Sequence, residues 1–332
     1  MSFGKTIKLN DGNVMPRIGL GTWLSEPGKV KAAVAHAVKT GYRHLDLAKI
    51  YKNQEEVGEG LKEVIPSVVK REELFLTSKL WNNAHKPHLV EKAYDATCKE
   101  LGVEYLDLYL IHWPVPLESG DDIENLMPPA KDGSDFKELD LKTTLVDTWK
   151  AMIALQKTGK VKSIGVSNFT QAHLEGIISA TGVVPAVNQI EGHPLLPQED
   201  LVKYSQLKGI HITAYSPLGN ASGYGKKSVD IAGSKQVQEV AKAHGVDAGQ
   251  VLIAWGAHRG TSVIPKSVTP SRIESNFQEI ELTDEEFEKV SSLIKDHGSY
   301  VRFNVPIGYP WDIDVFGEPE EKKANHRVNI GA

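Results

Sequence analysis

Two apolar stretches, ELFLTSKLW at residues 73–81 and LDLYLIHW at residues 106–113, decide the fold. Each is a near-continuous apolar run of the kind found in strands that are buried on both faces of a sheet. Lys79 and His112 lie near the ends of these runs, and Asp46 ends an earlier run of the same type. The steps from Asp46 to Lys79 and from Lys79 to His112 are both 33 residues. This spacing is close to the roughly 31 residues expected when about 250 residues form eight βα units.

The same alternation continues along the chain. Apolar runs predict further strands at GLGTW, RHLDLA, VKSIGV, PAVNQI, GIHITAY and TSVIP. Helical spacing and helix-end signals predict helices at 27–41, 87–102, 143–157, 170–179, 198–207 and 235–258. Because right-handed crossovers place each strand beside the previous one, eight such units predict a closed (β/α)8 TIM barrel of the α/β class. TIKLN and VMPRI, on either side of Asp11-Gly12, predict an N-terminal β-hairpin.

Two stretches interrupt this rhythm within what we expect to be one domain, residues 1–332. Residues 114–140 are rich in Pro, Asp and Gly and exceed an ordinary connection, so we expect a functional lid loop. Residues 295–332 show neither helical nor strand periodicity. Because this long C-terminal loop contains Trp311 and Phe316, we expect part of it to pack over the barrel mouth.

Composition and charge indicate which kinds of binding partner to expect. Hydrophobic residues at 40% and charged residues at 24% are typical of globular proteins, and the formal charge of -5 favours neither nucleic acid nor an anionic membrane. The N-terminus lacks a secretion-type apolar segment, and no apolar run is long enough to span a membrane. We therefore expect a cytoplasmic monomer that acts on a small molecule. The single cysteine, Cys98, excludes an internal disulfide and falls on the apolar face of a predicted helix.

Chemistry in a barrel of this kind lies at the carboxyl ends of the strands. Any one polar residue there has an ordinary structural explanation, but the set is coherent. The strand-end residues are Thr22, Trp23, Asp46, Lys79, His112, Trp113, Ser167, Asn168, Gln189, Tyr215, Ser216, Lys266 and Ser267. Because Asp46, Lys79 and His112 end consecutive strands, we expect them on adjacent staves of the barrel, with Tyr51 close after Asp46.

These four residue types suit proton transfer to a carbonyl oxygen. Tyrosine is a poor acid near neutrality, with a reference pKa of about 10. We expect the Lys79 cation to lower the pKa of Tyr51 and Asp46 to hold that cation in place. His112 could donate a hydrogen bond to the same oxygen and orient it.

Other chemistries fit less well. The strand ends contain no HxH or HExxH pair, and Lys79 would repel a cation, so we expect no metal site. A GxSxG elbow and a complete GxGxxG loop are both absent. The stretch IPKSVTPSRIESN at residues 264–276 ends a strand and starts a helix. It presents Lys266, Ser267 and Arg272 to an anion, although an ordinary strand-to-helix loop would look the same.

Seven motifs carry a resemblance to a known family. They are GYRHLDLAKIY, LTSKLW, YLDLYLIHWP, VKSIGVSNF, NQIEGHP, AYSPLG and IPKSVTPSRIESN. In this order and spacing the chain resembles the aldo-keto reductases over nearly its whole length, and it is most similar to fungal and yeast NADPH-dependent aldehyde reductases.

The resemblance implies roles for particular residues. Tyr51 would be the proton donor, with Asp46, Lys79 and His112 completing a catalytic tetrad. Residues that would line the apolar substrate pocket with Tyr51 and His112 are Trp23, Trp81 and Trp113. Residues that would bind NADPH are Thr22, Trp23, Asp46, Ser167, Asn168, Gln189, Tyr215, Ser216, Pro217, Leu218, Lys266, Ser267, Val268, Arg272 and Asn276.

One departure from the family pattern has a functional consequence. Many members latch the cofactor with a lysine after the pocket tryptophan and an aspartate in the loop after the seventh strand. Leu24 and Ser222 stand at these places here, so we expect faster release of NADP. Ser275 also replaces a glutamate that commonly contacts adenine.

The resemblance favours NADPH-dependent reduction of aldehydes, and of some ketones, to alcohols. A glycerol or polyol dehydrogenase and an aldose or uronate reductase remain alternatives, because specificity would lie in residues 114–140 and the tail. A redox-sensing binding subunit on the same scaffold is an alternative of a different class, which the intact tetrad disfavours.

Overall fold

A computed structural model of the chain describes residues 5–219 and 229–331, and eight parallel strands form its central sheet. The strands of this sheet, in spatial as in chain order, are β3 (Leu20–Gly21), β4 (His44–Asp46), β5 (Phe75–Leu80), β6 (Leu106–Ile111), β7 (Val161–Ser167), β8 (Val187–Glu191), β9 (His211–Tyr215) and β10 (Ser262–Val263). Parallel bridges from Ile18 to Val263 and from Gly21 to Lys266 join the first strand to the last. The sheet is therefore closed, and the predicted (β/α)8 barrel is confirmed.

Helices cover the outside of the barrel and follow it in sequence. They are α1 (Val30–Thr40), α2 (Gln54–Val64), α3 (Pro87–Leu101), α4 (Leu145–Lys157), α5 (Gln171–Thr181), α6 (Glu199–Lys208), α7 (Lys235–His244), α8 (Ala248–His258), α9 (Pro270–Phe277), α10 (Asp284–Ser291) and α11 (Leu293–His297). The single helix predicted over 235–258 is wrong, because Gly245 takes a left-handed φ of 66° that ends α7. Asp247 then forms the capping box of α8.

The predicted hairpin closes the amino-terminal end of the barrel. Its strands β1 (Thr6–Lys8) and β2 (Val14–Pro16) pair in antiparallel register. Met15 is fully buried in a cluster with Phe75 and Val187, the first residues of β5 and β8. Since this end is filled with apolar side chains, the carboxyl ends of the strands form the accessible face.

The loop at 114–140 and the C-terminal tail meet beside that accessible face. Two antiparallel bridges, one of them between Leu117 and Leu139, fold the loop back on itself. In the tail, β11 (Ile313–Asp314) pairs in parallel with β12 (His326–Arg327), which corrects the expectation of a segment without regular structure. Apolar side chains of both segments pack in one buried cluster with Trp81 and Trp113, which follow β5 and β6. The cluster also contains Val115, Leu117, Leu126, Trp311, Ile313 and Val315.

Membrane-spanning helices and clusters of metal-binding side chains are both absent from the described residues. Among the described residues, no helix is both long enough and apolar enough to cross a membrane. Within 5–219 and 229–331, no group of three or more His, Cys, Asp or Glu side chains is placed to hold a metal ion. Cys98 is buried on α3, as its helical position predicts.

Candidate active site

A buried lysine lies at the centre of the carboxyl-terminal face. Lys79 of β5 is 0% exposed. Its Nζ donates hydrogen bonds to Asp46 Oδ1 at 2.6 Å, to the Leu47 carbonyl at 2.8 Å and to the Tyr51 hydroxyl oxygen at 3.2 Å. Three acceptors match the three protons of an ammonium group. Because the Tyr51 oxygen accepts from Lys79, the phenolic proton of Tyr51 remains available to another acceptor.

Local chain geometry explains how Tyr51 reaches this lysine. β4 ends at Asp46, and a short 3-10 helix, Lys49–Tyr51, begins after two more residues. Lys52 then takes a left-handed φ of 55°, which turns the chain into α2. The predicted placement of Tyr51 over the ends of two adjacent strands is observed.

The expected direction of the Tyr51 pKa is wrong. Burial raises the pKa of Tyr51 well above its ordinary value, and the nearby Asp46 and Tyr309 raise it further. These effects outweigh the Lys79 cation, whose charge is partly offset by Asp46 at 2.6 Å. Burial also lowers the pKa of Lys79, and Asp46 opposes that effect. Tyr51 is therefore a protonated phenol at neutral pH, which is the form that can donate a proton.

His112 faces the same space as a neutral imidazole. Burial, and then the charge of Lys79, holds the pKa of His112 well below its usual range. The His112 and Tyr51 rings meet edge to face with centroids 5.9 Å apart. A neutral ring has one N–H to donate, and His112 Nδ1 has no hydrogen-bond partner in the described part of the chain.

A second layer holds the Asp46 carboxylate. Gln189 of β8 donates from Nε2 to Asp46 Oδ2 at 2.7 Å. The Thr22 hydroxyl donates to the Asp46 carbonyl at 2.8 Å, and Asn53 Nδ2 donates to the Thr22 carbonyl at 3.0 Å. Both carboxylate oxygens of Asp46 thus have a fixed donor, which keeps Lys79 in place.

The ends of β7 and β9 form a connected polar edge. Asn168 Nδ2 donates to the His112 carbonyl at 2.9 Å, and the Tyr215 hydroxyl donates to Asn168 Oδ1 at 2.8 Å. Ser167 Oγ donates to the Gln189 carbonyl at 2.8 Å. Asn168 and Ser216 both have left-handed φ angles, 63° and 49°. Strained backbone of this kind concentrates at functional sites.

The predicted anion cradle lies at the start of α9. Arg272 is exposed, and Lys266 Nζ donates to the Leu24 carbonyl at 3.1 Å. Neither cation lies within salt-bridge distance of a carboxylate in the described ranges. Thr269 precedes the helix without a side-chain cap, so the first N–H groups of α9 remain open to an acceptor. Other predicted cofactor residues follow the β9 end or lie on and before α9; they are Pro217, Leu218, Ser267, Val268 and Asn276.

An aromatic wall rises beside His112. Trp81 meets the His112 ring edge to face at 5.1 Å and donates from Nε1 to the Leu126 carbonyl of the 114–140 loop at 2.6 Å. Trp311 of the tail packs against both Trp81 and Trp113, at 5.8 and 5.4 Å. Of the predicted pocket residues, Trp81 and Trp113 therefore join this wall. Trp23 is half-buried at the end of β3.

Sequence reasoning missed several residues near the site. The Leu47 carbonyl completes the coordination of Lys79, and Tyr309 packs against Trp113. Glu191 is fully buried two residues beyond Gln189, and this alternation along β8 was the available signal. Leu24, one of the two latch positions, is 47% exposed. Ser222, the other, lies outside the described residues.

Comparisons with known proteins identify the family of this chain. Residues 17–295 match the Aldo/keto reductase family. A D/L-glyceraldehyde reductase of Hypocrea jecorina is 52% identical over 99% of both chains, and aldo-keto reductase family 1 member A1 of Rattus norvegicus is 42% identical over 97% of this chain and 96% of its own. The solved aldose reductase from Schistosoma japonicum aligns with a TM-score of 0.83 at 40% identity, covering 96% of this chain and 98% of its own. The chain therefore belongs to the Aldo/keto reductase family, as its motifs predict.

Proposed function

We propose that this protein reduces aldehydes, and some ketones, to alcohols with NADPH as hydride donor and Tyr51 as proton donor. The observation that supports this most directly is the triple hydrogen bond of the buried Lys79 ammonium to Asp46, Leu47 and Tyr51. It leaves the Tyr51 proton facing the space bounded by His112 and the aromatic wall.

The mechanism follows from these contacts. A bound nicotinamide would supply the hydride from its C4 atom to the carbonyl carbon. Tyr51 then gives its proton to the carbonyl oxygen as that oxygen becomes negative. The phenolate left on Tyr51 accepts the 3.2 Å hydrogen bond from Lys79, whose cation balances its charge. His112, as a neutral imidazole, donates to the same carbonyl oxygen and fixes its direction.

The described residues fit a dinucleotide phosphate. Gln189 uses Nε2 on Asp46 and keeps Oε1 for the amide of a nicotinamide carboxamide, while Ser167 and Asn168 lie beside it. The Tyr215 ring would stack on the nicotinamide. Lys266 and Arg272, at the open N-terminus of α9, would hold a 2'-phosphate, so we propose NADPH over NADH.

The pocket favours neutral aldehydes. Its wall is aromatic, and Arg302, which packs on the ring of Phe316 at 4.0 Å, already pairs with Glu318 at 2.8 Å. A carboxylate substrate would have to compete with Glu318 for this cation. Since one relative is named a D/L-glyceraldehyde reductase, glyceraldehyde is the first substrate to test.

The test is NADPH consumption with glyceraldehyde, an aromatic aldehyde and a uronic acid, with NADH run in parallel. We expect turnover of the two neutral aldehydes, weak activity on the uronic acid and a preference for NADPH. Oxidation of glycerol with NADP+ at a higher rate would favour the polyol dehydrogenase alternative. Binding of NADPH without turnover of any carbonyl would favour a binding subunit instead.

Tyr51→Phe isolates the proposed acid. We expect kcat to fall by about 10²- to 10⁴-fold, the usual contribution of a general acid, with NADPH binding retained. Tyr300→Phe is the matched control, because Tyr300 is 68% exposed in the tail. A Tyr51→Phe protein as active as the Tyr300→Phe control would remove Tyr51 from the mechanism.

A further inference from the structure

Glu191 is a buried carboxylate that the proposed chemistry does not use. It ends β8 and is 0% exposed. Its oxygens accept hydrogen bonds from the backbone N–H groups of Phe303 and Asn304, at 2.8 and 2.9 Å. Asn304 Nδ2 and His193 Nε2 contact the same carboxylate, each at 3.0 Å. Four donors on one buried carboxylate form a built anchor rather than a chance contact.

The Glu191 carboxyl group that anchors the tail is ionised. Burial acts to raise the pKa of Glu191, but the contact with His193, the nearby Arg302 cation and the Phe303 N–H bring it below its ordinary value. Arg302, which is 9% exposed, also bonds to Gln198 at 3.2 Å, and the Gln198 amide donates to the Glu191 carbonyl at 2.7 Å. The end of β8 and the start of the tail are thus joined through both backbone and side chains.

Asn304 links Glu191 to Tyr309 of the pocket wall through hydrogen bonds of its two side-chain amide atoms. Because its Nδ2 faces Glu191, its Oδ1 faces the other way and accepts a hydrogen bond from the Tyr309 hydroxyl at 2.6 Å. The Tyr309 ring stacks on Trp311 with centroids 5.1 Å apart and meets Trp113 at 5.7 Å. Trp311 in turn packs against Trp81, which meets the His112 ring edge to face, so Tyr309 belongs to the aromatic wall beside the proposed acid.

We propose that Glu191 is a positioning residue whose buried carboxylate anchors the tail, through Asn304, so that Tyr309 forms one wall of the carbonyl-binding pocket. This inference rests on the proposed reductase function and adds a residue that sets its substrate affinity. Glu191 lies in the barrel scaffold, whereas the wall that it positions is more than 100 residues away in sequence.

Two variants change the first and last residues of the Glu191–Asn304–Tyr309 hydrogen-bond path. Glu191→Gln keeps the shape but replaces one acceptor oxygen with an NH2 group that opposes the backbone donors, and we expect KM for glyceraldehyde to rise roughly 10- to 100-fold. Tyr309→Phe removes only the hydroxyl, and we expect a rise of about three- to tenfold. In both, kcat should stay within about threefold and the NADPH affinity should not change, because Asp46, Tyr51 and Lys79 are untouched. Controls are Glu288→Gln and Tyr300→Phe, which change exposed residues.

The double variant tests whether the two residues act through one path. If Glu191 works through Tyr309, adding Tyr309→Phe to Glu191→Gln should raise KM by less than the product of the single effects. A purely structural role for Glu191 would instead lower kcat and cofactor affinity while KM rises, which would overturn the assignment. Parental KM values in Tyr309→Phe would also overturn it, even if Glu191→Gln failed to fold.

Hydrogen exchange separates this inference from the proposed function. Without any substrate, the amides of Phe303 and Asn304 should exchange at least tenfold faster in Glu191→Gln than in the parent and in the Glu288→Gln control. Unchanged exchange would refute the anchor, whatever the protein catalyses. A parent that consumes no NADPH with any aldehyde would refute the proposed function, while the exchange result would still decide the anchor.

Discussion

Removing the Lys79 ammonium should lower both the free energy of unfolding and kcat, and a double variant should restore the first without the second. Lys79→Met keeps the length and the apolar stem of the side chain, so it opens little space. It leaves the buried Asp46 carboxylate with Gln189 as its remaining side-chain donor. Breaking a buried pair by removing one partner costs about 3–5 kcal/mol, since the other charge stays in a medium of low dielectric. We expect the free energy of unfolding to fall by that amount.

The double variant Asp46→Asn/Lys79→Met should recover most of the lost stability. It removes both charges together, and replacing a whole buried pair by neutral groups is often close to neutral. The amide oxygen introduced at position 46 could still accept the hydrogen bond from Gln189. Turnover should nevertheless stay at least about 100-fold below the parent in both variants, because the Tyr51 phenolate would have no cation to stabilise it.

Urea denaturation followed by tryptophan fluorescence gives the unfolding free energies, and steady-state assays at saturating aldehyde give kcat. The Tyr300→Phe protein, changed at an exposed residue, is the control in the same assays. If the double variant regained the parental kcat, Tyr51 would not depend on Lys79. If Lys79→Met were as stable as the parent, the 2.6 Å contact would not be an energetically coupled ion pair.

Three further predictions concern charge and cofactor. Asp46→Asn alone leaves Lys79 buried without its carboxylate, so the pKa of Lys79 in the folded protein falls further below its value in the unfolded chain. The unfolded chain then binds more protons than the folded one, and folding stability increases with pH. Urea titrations should show this increase between about pH 7 and pH 9, and it should be steeper than in the parent. Arg272→Ala should weaken NADPH binding roughly tenfold or more in fluorescence titrations and leave NADH binding unchanged, and equal losses for the two cofactors would remove Arg272 from the 2'-phosphate site. NADP+ should leave the parent faster than a Leu24→Lys/Ser222→Asp variant in stopped-flow measurements, and equal rates would argue against the missing latch.

The barrel could be predicted from the sequence because its strands are buried on both faces and read as continuous apolar runs. Helix α2 is absent from the helices predicted from the sequence, since Gly58 and Gly60 interrupt its pattern and are poor helix formers. The structure explains them: a Cβ at Gly58 would lie 2.8 Å from the Glu100 carbonyl oxygen, and one at Gly60 would lie 2.7 Å from that of Lys31. Close contact between α2 and its neighbours therefore requires residues that local propensity disfavours.

The strand-end residues of the site could also be predicted, because parallel strands bring their carboxyl ends together. The direction of the Tyr51 pKa could not, since it depends on how completely the folded chain removes water from the hydroxyl. The same holds for Glu191, whose partners Phe303 and Asn304 lie 112 and 113 residues away. A motif can show that a glutamate is present, but it cannot show which distant N–H groups approach it.

The site divides into two parts that the chain supports in different ways. The proposed acid and its lysine are fixed by strand ends, where Lys79 lies in β5 and Asp46 in β4. The tryptophans of the pocket wall also follow strand ends, but the residues packed against them come from the loop and the tail. Trp81 donates a hydrogen bond to Leu126 of the 114–140 loop, and Trp113 packs on Tyr309 of the tail. A change in the loop or in the tail can therefore alter which carbonyl compound fits without moving the 3.2 Å contact between Lys79 and Tyr51. For this reason substrate preference should respond to the loop and the tail, while the proton-transfer step should respond to the strands.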